Sequence, residues 1–257
     1  MISKELTEFF KNDQIKSGDL LLLHSDVLRT AVYFLKQKIK ITSKDILNVF
    51  MSMVGKDGAL LIPTFYFDFC KGKSFDIRNS KSQMGSLTEE ARSHPNFSRT
   101  KHPIYSFCVY GKYKDDFLSL NNKESFGNDS PFAKLLELDG KIAVLNLPDQ
   151  NSMTFYHFVE QQLRVDYRFS KDFTAKYIDE NGIEEVRTYS MYVRDIEKNV
   201  QTSLEKIEEH MWSKNIYKGN RYNKGNGLRT CSTKDLYKET QNIIESGKAK
   251  GLLYKTN

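Results

Sequence analysis

Short apolar runs that alternate with amphipathic segments constrain the fold of this chain most strongly. Runs near Leu20, Leu60, Tyr105 and Ile142 have the length of β-strands, and helical periodicity separates them. Such alternation predicts a layered α/β domain. A chain of 257 residues can bury a sizeable core as one unit. We therefore expect a single domain over residues 1–257.

Local signals place the remaining elements. The spacing of apolar residues predicts helices over residues 3–10, 43–54, 85–93, 200–212 and 235–246. Ser130 followed by Pro131 is a typical helix start, an N-cap and a first-turn proline. The Glu-Asn-Gly sequence at residues 180–182 predicts the turn of a β-hairpin that occupies about residues 173–194.

Composition excludes some classes of protein. Hydrophobic residues make up 39% of the chain, and the longest apolar runs, such as residues 20–23, are far too short to span a membrane. The N-terminus lacks the apolar stretch of a signal peptide. Cys70, Cys108 and Cys231 have no metal-ligand spacing. We expect a cytoplasmic protein without a metal and without a membrane partner.

The positive charge is concentrated near the C-terminus. The net charge is +6, and residues 187–257 hold 14 Lys and Arg against 8 Asp and Glu, which accounts for all of it. Its densest part, residues 214–229, is rich in Gly and Asn and is predicted to be a loop. A basic loop with interleaved Tyr217 and Tyr222 binds phosphates or is solvated surface. No nucleic-acid-binding motif accompanies it, so we expect no nucleic-acid partner.

The segment 154–160, Thr-Phe-Tyr-His-Phe-Val-Glu, is the strongest candidate for chemistry. It follows a predicted strand over residues 141–147 and begins a helix, on which His157 and Glu160 share one face. A buried imidazole beside a carboxylate is either a satisfied structural pair or a proton-transfer site.

Upstream segments carry further polar residues, and the first two of these segments end predicted strands. These are His24-Ser25, Pro63-Thr64, Ser82 to Gly85, His102-Pro103 with Ser106, and residues 126–131. In their order and spacing, together with residues 154–160, they resemble the aminoglycoside 3-N-acetyltransferase family. The resemblance extends from about Gly18 to Glu160 and weakens beyond.

This resemblance implies an activity and a fold. Family members take acetyl coenzyme A as co-substrate and transfer its acetyl group directly in a ternary complex, without a covalent acyl-enzyme. Their fold is a three-layer α/β/α arrangement, unlike the acetyltransferase superfamily with its Gly-rich coenzyme loop. We therefore expect three such layers here, with a C-terminal β-hairpin and helices.

The resemblance also assigns residues. The catalytic candidates are His102, His157 and Glu160, and which histidine accepts the proton stays open. The coenzyme-binding candidates are His24, Ser25, Ser82, Gly85 and Ser106. The predicted contacts to substrate are Tyr66, Asp68 and Arg221.

Acetyl transfer from a thioester to an amine sets chemical requirements that these residues meet. The amine must lose a proton, which an imidazole with a carboxylate partner accepts. The thioester oxygen needs hydrogen-bond donors, for which Ser25, Ser106 or Thr154 are candidates.

Charge distinguishes between acceptors. A cationic protein attracts phosphates and repels polycationic drugs, which favours an amino sugar carried on a nucleotide over an aminoglycoside. A sugar- or nucleotide-binding module without turnover is the alternative from another functional class. We expect a monomer or a homodimer.

Overall fold

The computed structural model describes residues 2–11 and 13–256. The strands are β1 Leu20–Ser25, β2 Ala59–Pro63, β3 Phe75–Asp76, β4 Ser98–Arg99, β5 Phe107–Gly111, β6 Lys141–Leu145, β7 Arg168–Ile178, β8 Glu184–Arg194, β9 Val200–Thr202, β10 Lys218–Gly219, β11 Leu228–Ser232 and β12 Tyr254–Thr256. The helices are α1 Ile2–Phe9, α2 Leu28–Lys36, α3 Ser43–Val54, α4 Ser86–Ser93, α5 Lys114–Leu118, α6 Pro131–Glu137, α7 Phe155–Gln162, α8 Glu205–Ser213, α9 Thr233–Glu245 and α10 Ala249–Leu252. Short 3₁₀ segments occupy Phe67–Lys71 and Asp149–Asn151.

A seven-stranded mixed sheet lies at the centre, in the order β10-β11-β6-β1-β2-β5-β4. Strand β1 pairs in parallel with β2 on one side and β6 on the other, and the outer strands are antiparallel. The carboxyl ends of β1, β2 and β6 therefore meet at one edge. Ligands of open α/β sheets bind at this kind of edge.

Apolar side chains pack on both faces of the sheet. Leu21 and Leu23 of β1 face a core that includes α1, α3 and α4, whereas Leu20 and Leu22 face a second core with α6, α7, α8 and α9. Successive side chains of a strand point to opposite faces, so a strand covered on both sides is apolar throughout. The predicted three-layer α/β/α fold is confirmed.

Several local predictions are confirmed with their physical causes. Helix α3 has the predicted bounds, and its N-cap Thr42 forms a capping box with Asp45. Ser130 caps α6 by accepting a hydrogen bond from the Ala133 N–H at 3.3 Å, with Pro131 in the first turn. Helix α7 begins at Phe155, where the sequence predicts it.

The hairpin is longer than predicted. Its strands pair from Arg168 opposite Arg194 to Ile178 opposite Glu184, so it begins about five residues earlier than expected. The short strand β3 extends it to a three-stranded sheet. This hairpin brings Arg168 back toward α7, the helix that carries His157 and Glu160.

Two predictions near the C-terminus are wrong. Residues 200–212 are not one helix, because Val200–Thr202 forms β9 against β12 and α8 begins only at Glu205. Residues 214–229 are not a single loop, because β10 and the start of β11 add antiparallel strands to the edge of the central sheet. Strand β11 is buried on both faces, so it lacks the polar alternation that marks a strand.

Within the described residues, the helices are too short or too polar to cross a membrane.

Candidate active site

Two adjoining cavities open at the carboxyl ends of β1, β2 and β6. The larger cavity, about 650 Å³, is lined by Ser25, Asp26, Val27, Leu28, Ala31, Ile41, Thr42, Ser43, Ile46, Gln83, Met84, Gly85, Ser86, Leu87, Leu147 and Asn151. The smaller cavity, about 220 Å³, is lined by His24, Phe65, Phe67, Met84, Tyr105, Asp149, Gln150, Asn151, Ser152, Met153, Thr154, His157, Thr202 and Leu204. Met84 and Asn151 belong to both, so the cavities share a wall.

Helix α7 places His157 and Glu160 together, as the sequence predicts. His157 Nδ1 lies 2.7 Å from Glu160 Oε2. Glu160 is 1% exposed, whereas the His157 side chain is 18% exposed and lines the smaller cavity. An ionised carboxylate only accepts hydrogen bonds, so Nδ1 carries the proton and Nε2 is the free acceptor. The pair thus presents a basic nitrogen on the side of the cavity.

Arg168 is a third member of this site that sequence reasoning missed. Its Nε lies 2.7 Å from the same Glu160 Oε2, as an ion pair without good hydrogen-bond alignment. Burial lowers the pKa of His157, and the positive charge of Arg168 lowers it further, against the opposing effect of Glu160. The imidazole is therefore neutral near pH 7, the form that accepts a proton.

His24 and Ser25 end β1 at the junction of the two cavities. His24 lines the smaller cavity, and burial together with the nearby charge of Arg229 lowers its pKa to about 3. Ser25 lines the larger cavity, and its buried Oγ has no hydrogen-bond partner among the described residues. A buried hydroxyl without a partner is an unsatisfied polar group, which native structures rarely leave without a reason.

The loop before α4 borders the larger cavity. Gly85 is the N-cap of α4 with φ +111°, a conformation that glycine adopts without strain, and the space where a Cβ would lie is open. Gly85 leaves the first-turn N–H groups of α4 without a capping side chain. Ser82 lies behind this loop, where its Oγ is 2.7 Å from Thr88 Oγ1.

His102 and Ser106 lie outside both cavities. His102 is 1% exposed, its Nδ1 accepts a hydrogen bond from the Tyr105 N–H at 3.2 Å, and burial lowers its pKa to about 3. Ser106 is fully buried, where it accepts from Arg99 Nε at 2.9 Å and donates to the Thr64 carbonyl at 2.7 Å. These contacts tie β5 to the end of β2. The roles assigned to both residues stay predictions.

The predicted substrate contacts also lie outside both cavities. Asp68 pairs with Lys71 at 2.9 Å and Lys73 at 2.7 Å, and hydrogen bonds from these two lysines lower its pKa to about 2. The Tyr66 hydroxyl donates to the Ser74 carbonyl at 3.1 Å. Arg221 pairs with Glu209 of α8. Phe65 and Phe67, which are sequence neighbours of Tyr66 and Asp68, do line the smaller cavity. The roles of Tyr66, Asp68 and Arg221 stay predictions.

A second buried cluster lies beside the smaller cavity. Asp149 Oδ1 accepts from Arg229 Nη2 at 2.6 Å, and Oδ2 accepts from the hydroxyls of Tyr156 at 2.8 Å and Tyr217 at 2.6 Å. Burial raises the pKa of Asp149 to about 6, although Arg229 opposes this shift. The position of Asp149 just after β6 was a sequence signal for a site residue. No cluster of His, Cys, Asp and Glu within the described part of the chain has metal-binding geometry.

Comparison with known proteins agrees with this architecture. The sequence model of the aminoglycoside 3-N-acetyltransferase family matches residues 22–245. The chain belongs to this family.

Individual relatives match this chain either over a short stretch of sequence or over almost its whole length at an identity of 17% or 18%. The SPbeta prophage-derived aminoglycoside N(3')-acetyltransferase-like protein YokD of Bacillus subtilis strain 168 is 35% identical over 81 residues, which are 31% of this chain and 29% of that protein. That alignment thus spans under a third of the relative. A sisomicin-bound AAC-VIa structure superposes with a TM-score of 0.80 at 18% identity, covering 95% of this chain and 98% of that one. AAC-IIIb in binary complex with CoASH gives a TM-score of 0.74 at 17% identity, covering 96% and 95%.

Proposed function

We propose that this protein transfers the acetyl group of acetyl coenzyme A to an amino group of an amino sugar, directly and within a ternary complex. The observation that carries the proposal is the His157–Glu160 pair, which presents a neutral imidazole to a cavity. Membership of a family of N-acetyltransferases supports it. Within the proposal, the enzyme is a cytoplasmic monomer or homodimer, and its three free cysteines suit a reducing compartment.

The larger cavity is the proposed site of the coenzyme. Its apolar lining, which includes Val27, Ala31 and Leu87, suits the uncharged pantetheine arm. The first turn of α4 offers N–H groups to an anionic phosphate, and Gly85 lets a ligand approach the backbone closely. Ser25 at the end of β1 also lines this cavity, and its hydroxyl has no hydrogen-bond partner among the described residues.

The smaller cavity is the proposed site of the acceptor amine, and the chemistry follows from its lining. His157 Nε2 accepts a proton from the amine as the nitrogen attacks the thioester carbonyl carbon. The C–N bond forms, the C–S bond breaks with its electron pair on sulfur, and the sulfur takes up the proton that His157 accepted, so the coenzyme leaves as the thiol and the imidazole is neutral again. The hydroxyl of Thr154, which caps no helix N–H, lines this cavity and can donate to the developing oxyanion.

The charges around the smaller cavity favour an acceptor with a single amine. Among the described residues, Asp149 is the only carboxylate that lines it, and both of its oxygens already accept hydrogen bonds. Recognition of several ammonium groups would need unpaired carboxylates. We therefore favour an amino sugar carried on a nucleotide, with an aminoglycoside as the second candidate, to which the family name points.

The C-terminal positive charge supports this choice less than the sequence suggested. Lys218, Arg221 and Lys224 lie at the β10–β11 edge and outside both cavities. The preference for a nucleotide-linked acceptor therefore depends on the cavity lining rather than on those side chains.

Thiol release from acetyl coenzyme A tests the proposal. The panel contains nucleotide-linked 3- and 4-amino sugars, aminoglycosides and an amine-free sugar nucleotide as control. We expect release with an amino sugar, together with a product heavier by one acetyl group. Binding of these sugars without thiol release would favour the non-catalytic module, and binding of a DNA duplex instead would indicate a nucleic-acid-binding protein.

A further inference from the structure

Arg168 contacts the catalytic carboxylate from a separate element. It is the first residue of β7, and its side chain is 5% exposed. Its Nη2 donates to Thr202 Oγ1 at 3.0 Å and its Nη1 to the Tyr192 carbonyl at 3.4 Å. These bonds to β8 and β9 fix the guanidinium beside Glu160 Oε2, the oxygen that also contacts His157.

Charge balance shows what this contact does. With Glu160 ionised, His157 neutral and Arg168 cationic, the three side chains have no net charge. Adding a proton to the pair leaves a net positive charge in a buried place, which is unfavourable. Without Arg168 the proton-free pair would be a buried net anion, so it would retain a proton at higher pH.

Other ionisable side chains also lie near this pair. Tyr167 and Tyr192 lie near Glu160, and burial, followed by the charge of Glu160, raises the pKa of each phenol, so both stay neutral. Across the smaller cavity are His24 and Tyr105, which burial keeps neutral, and Asp149, which is paired with Arg229. Arg168 is therefore the nearby cation in direct contact with the pair.

We propose that Arg168 is a positioning residue that fixes the Glu160 carboxylate beside His157 and keeps His157 free of its second proton, ready to accept one from the substrate amine. This inference rests on the proposed function for its catalytic consequence, but its effect on His157 exists without substrate. Because the guanidinium is held by β8 and β9, the hairpin contributes to catalysis without reaching the cavity.

The test compares Arg168→Met with Arg194→Met. Arg194 lies opposite Arg168 in the hairpin register and is exposed, so its variant removes the same charge from the same hairpin. NMR titration of the His157 ring in the free protein is the first measurement. We expect Arg168→Met to raise the midpoint by about one pH unit, the lower end of the effect of an adjacent charge. Arg194→Met is expected to leave it unchanged.

Kinetics provide the second measurement. Arg168→Met is expected to lower kcat by up to about fourfold at pH 7 with little change in KM and to regain activity by pH 9, because a midpoint about one unit higher leaves part of His157 protonated at pH 7 but almost none at pH 9. Arg168→Lys, which keeps the charge, is expected to retain the wild-type titration and most of kcat. Arg168→Gln provides the same comparison if the Met variant does not fold.

The outcomes separate this inference from the proposed function. A His157 midpoint that is the same in wild type, Arg168→Met and Arg168→Gln overturns the role of Arg168. A wild-type protein that acetylates no amine overturns the proposed function, while the titration still decides what Arg168 does to His157.

Discussion

Two buried carboxylates lie near the smaller cavity, and each has an arginine partner. Glu160 contacts Arg168 and His157, which we name the open cluster. Asp149 contacts Arg229 and two tyrosine hydroxyls, which we name the closed cluster. In the open cluster the imidazole leaves one nitrogen on the side of the cavity, whereas in the closed cluster both carboxylate oxygens are already occupied by buried donors.

A buried ion pair is therefore not by itself a catalytic site. Both clusters satisfy a charge that would otherwise be costly to bury. In the open cluster one imidazole nitrogen stays available for a proton, whereas in the closed cluster both carboxylate oxygens of Asp149 accept hydrogen bonds from the protein. We therefore assign chemistry to the open cluster and stability to the closed one, and the following predictions test that division.

The largest effect is expected in the closed cluster. Arg229→Met leaves Asp149 buried without its cation, and breaking a buried pair in this way costs about 3–5 kcal/mol of the free energy of unfolding. Urea denaturation measures it. Arg221→Met, which removes a half-buried arginine from its pair with the exposed Glu209, is the control and should cost no more than about 1 kcal/mol. Equal losses in the two variants would contradict a stabilising role for the closed cluster.

The next effect is on the rate, in the open cluster. His157→Ala and Glu160→Gln should each lower kcat by about a hundredfold or more, because general-base assistance is lost. Coenzyme binding should be nearly unchanged.

His210→Ala is the matched control for these rate measurements. His210 Nε2 lies 2.6 Å from Glu239 Oε1, a histidine–glutamate pair between α8 and α9 that lies outside both cavities. We expect its kcat to stay within about twofold of wild type. An equal loss in His157→Ala and His210→Ala would show that the open cluster has no special role.

A smaller effect concerns the coenzyme. Saturating acetyl coenzyme A should raise Tm by about 5 °C, since a ligand that binds only the folded state stabilises it by mass action. Ser25→Ala should reduce this shift, and His157→Ala should leave it intact because the two residues line different cavities. No shift at millimolar coenzyme would contradict the transferase function itself.

Among the predicted catalytic residues, the smallest effect on the rate is expected at His102. It is buried outside both cavities, without a carboxylate partner like that of His157. His102→Gln should therefore change kcat by less than about fivefold, while it lowers the free energy of unfolding by about 1–3 kcal/mol. A hundredfold loss of kcat in a folded His102→Gln protein would instead show that His102 is a catalytic residue.

Much of the fold was predictable because its signals are local. The fully apolar runs of β1 and β2, the Ser130 cap and the periodicity of α3 each depend on neighbouring residues. The same holds for His157 and Glu160, which are one helical turn apart. Strand β9 and the β10–β11 edge were missed, because their strands are short or lack alternation and are defined by partners distant in sequence.

The missed site residues have the same explanation. Arg229 reaches Asp149 across 80 positions of sequence, and Arg168 reaches Glu160 only because the chain turns back into the hairpin. Sequence patterns report the residues of one element, whereas these contacts depend on how elements pack. His102 was assigned from a motif that says nothing about whether its side chain reaches a cavity.

The pH dependence of kcat shows whether His157 accepts the proton, because kcat reports the ionisation of groups in the complex with both substrates. Initial rates of thiol release at saturating substrates are compared between pH 5 and pH 9 for wild type and His157→Ala. We predict that the wild-type rate falls at acid pH as the His157–Glu160 pair takes up a proton, and that this acid limb disappears in His157→Ala. An identical acid limb in both proteins would contradict His157 as the proton acceptor.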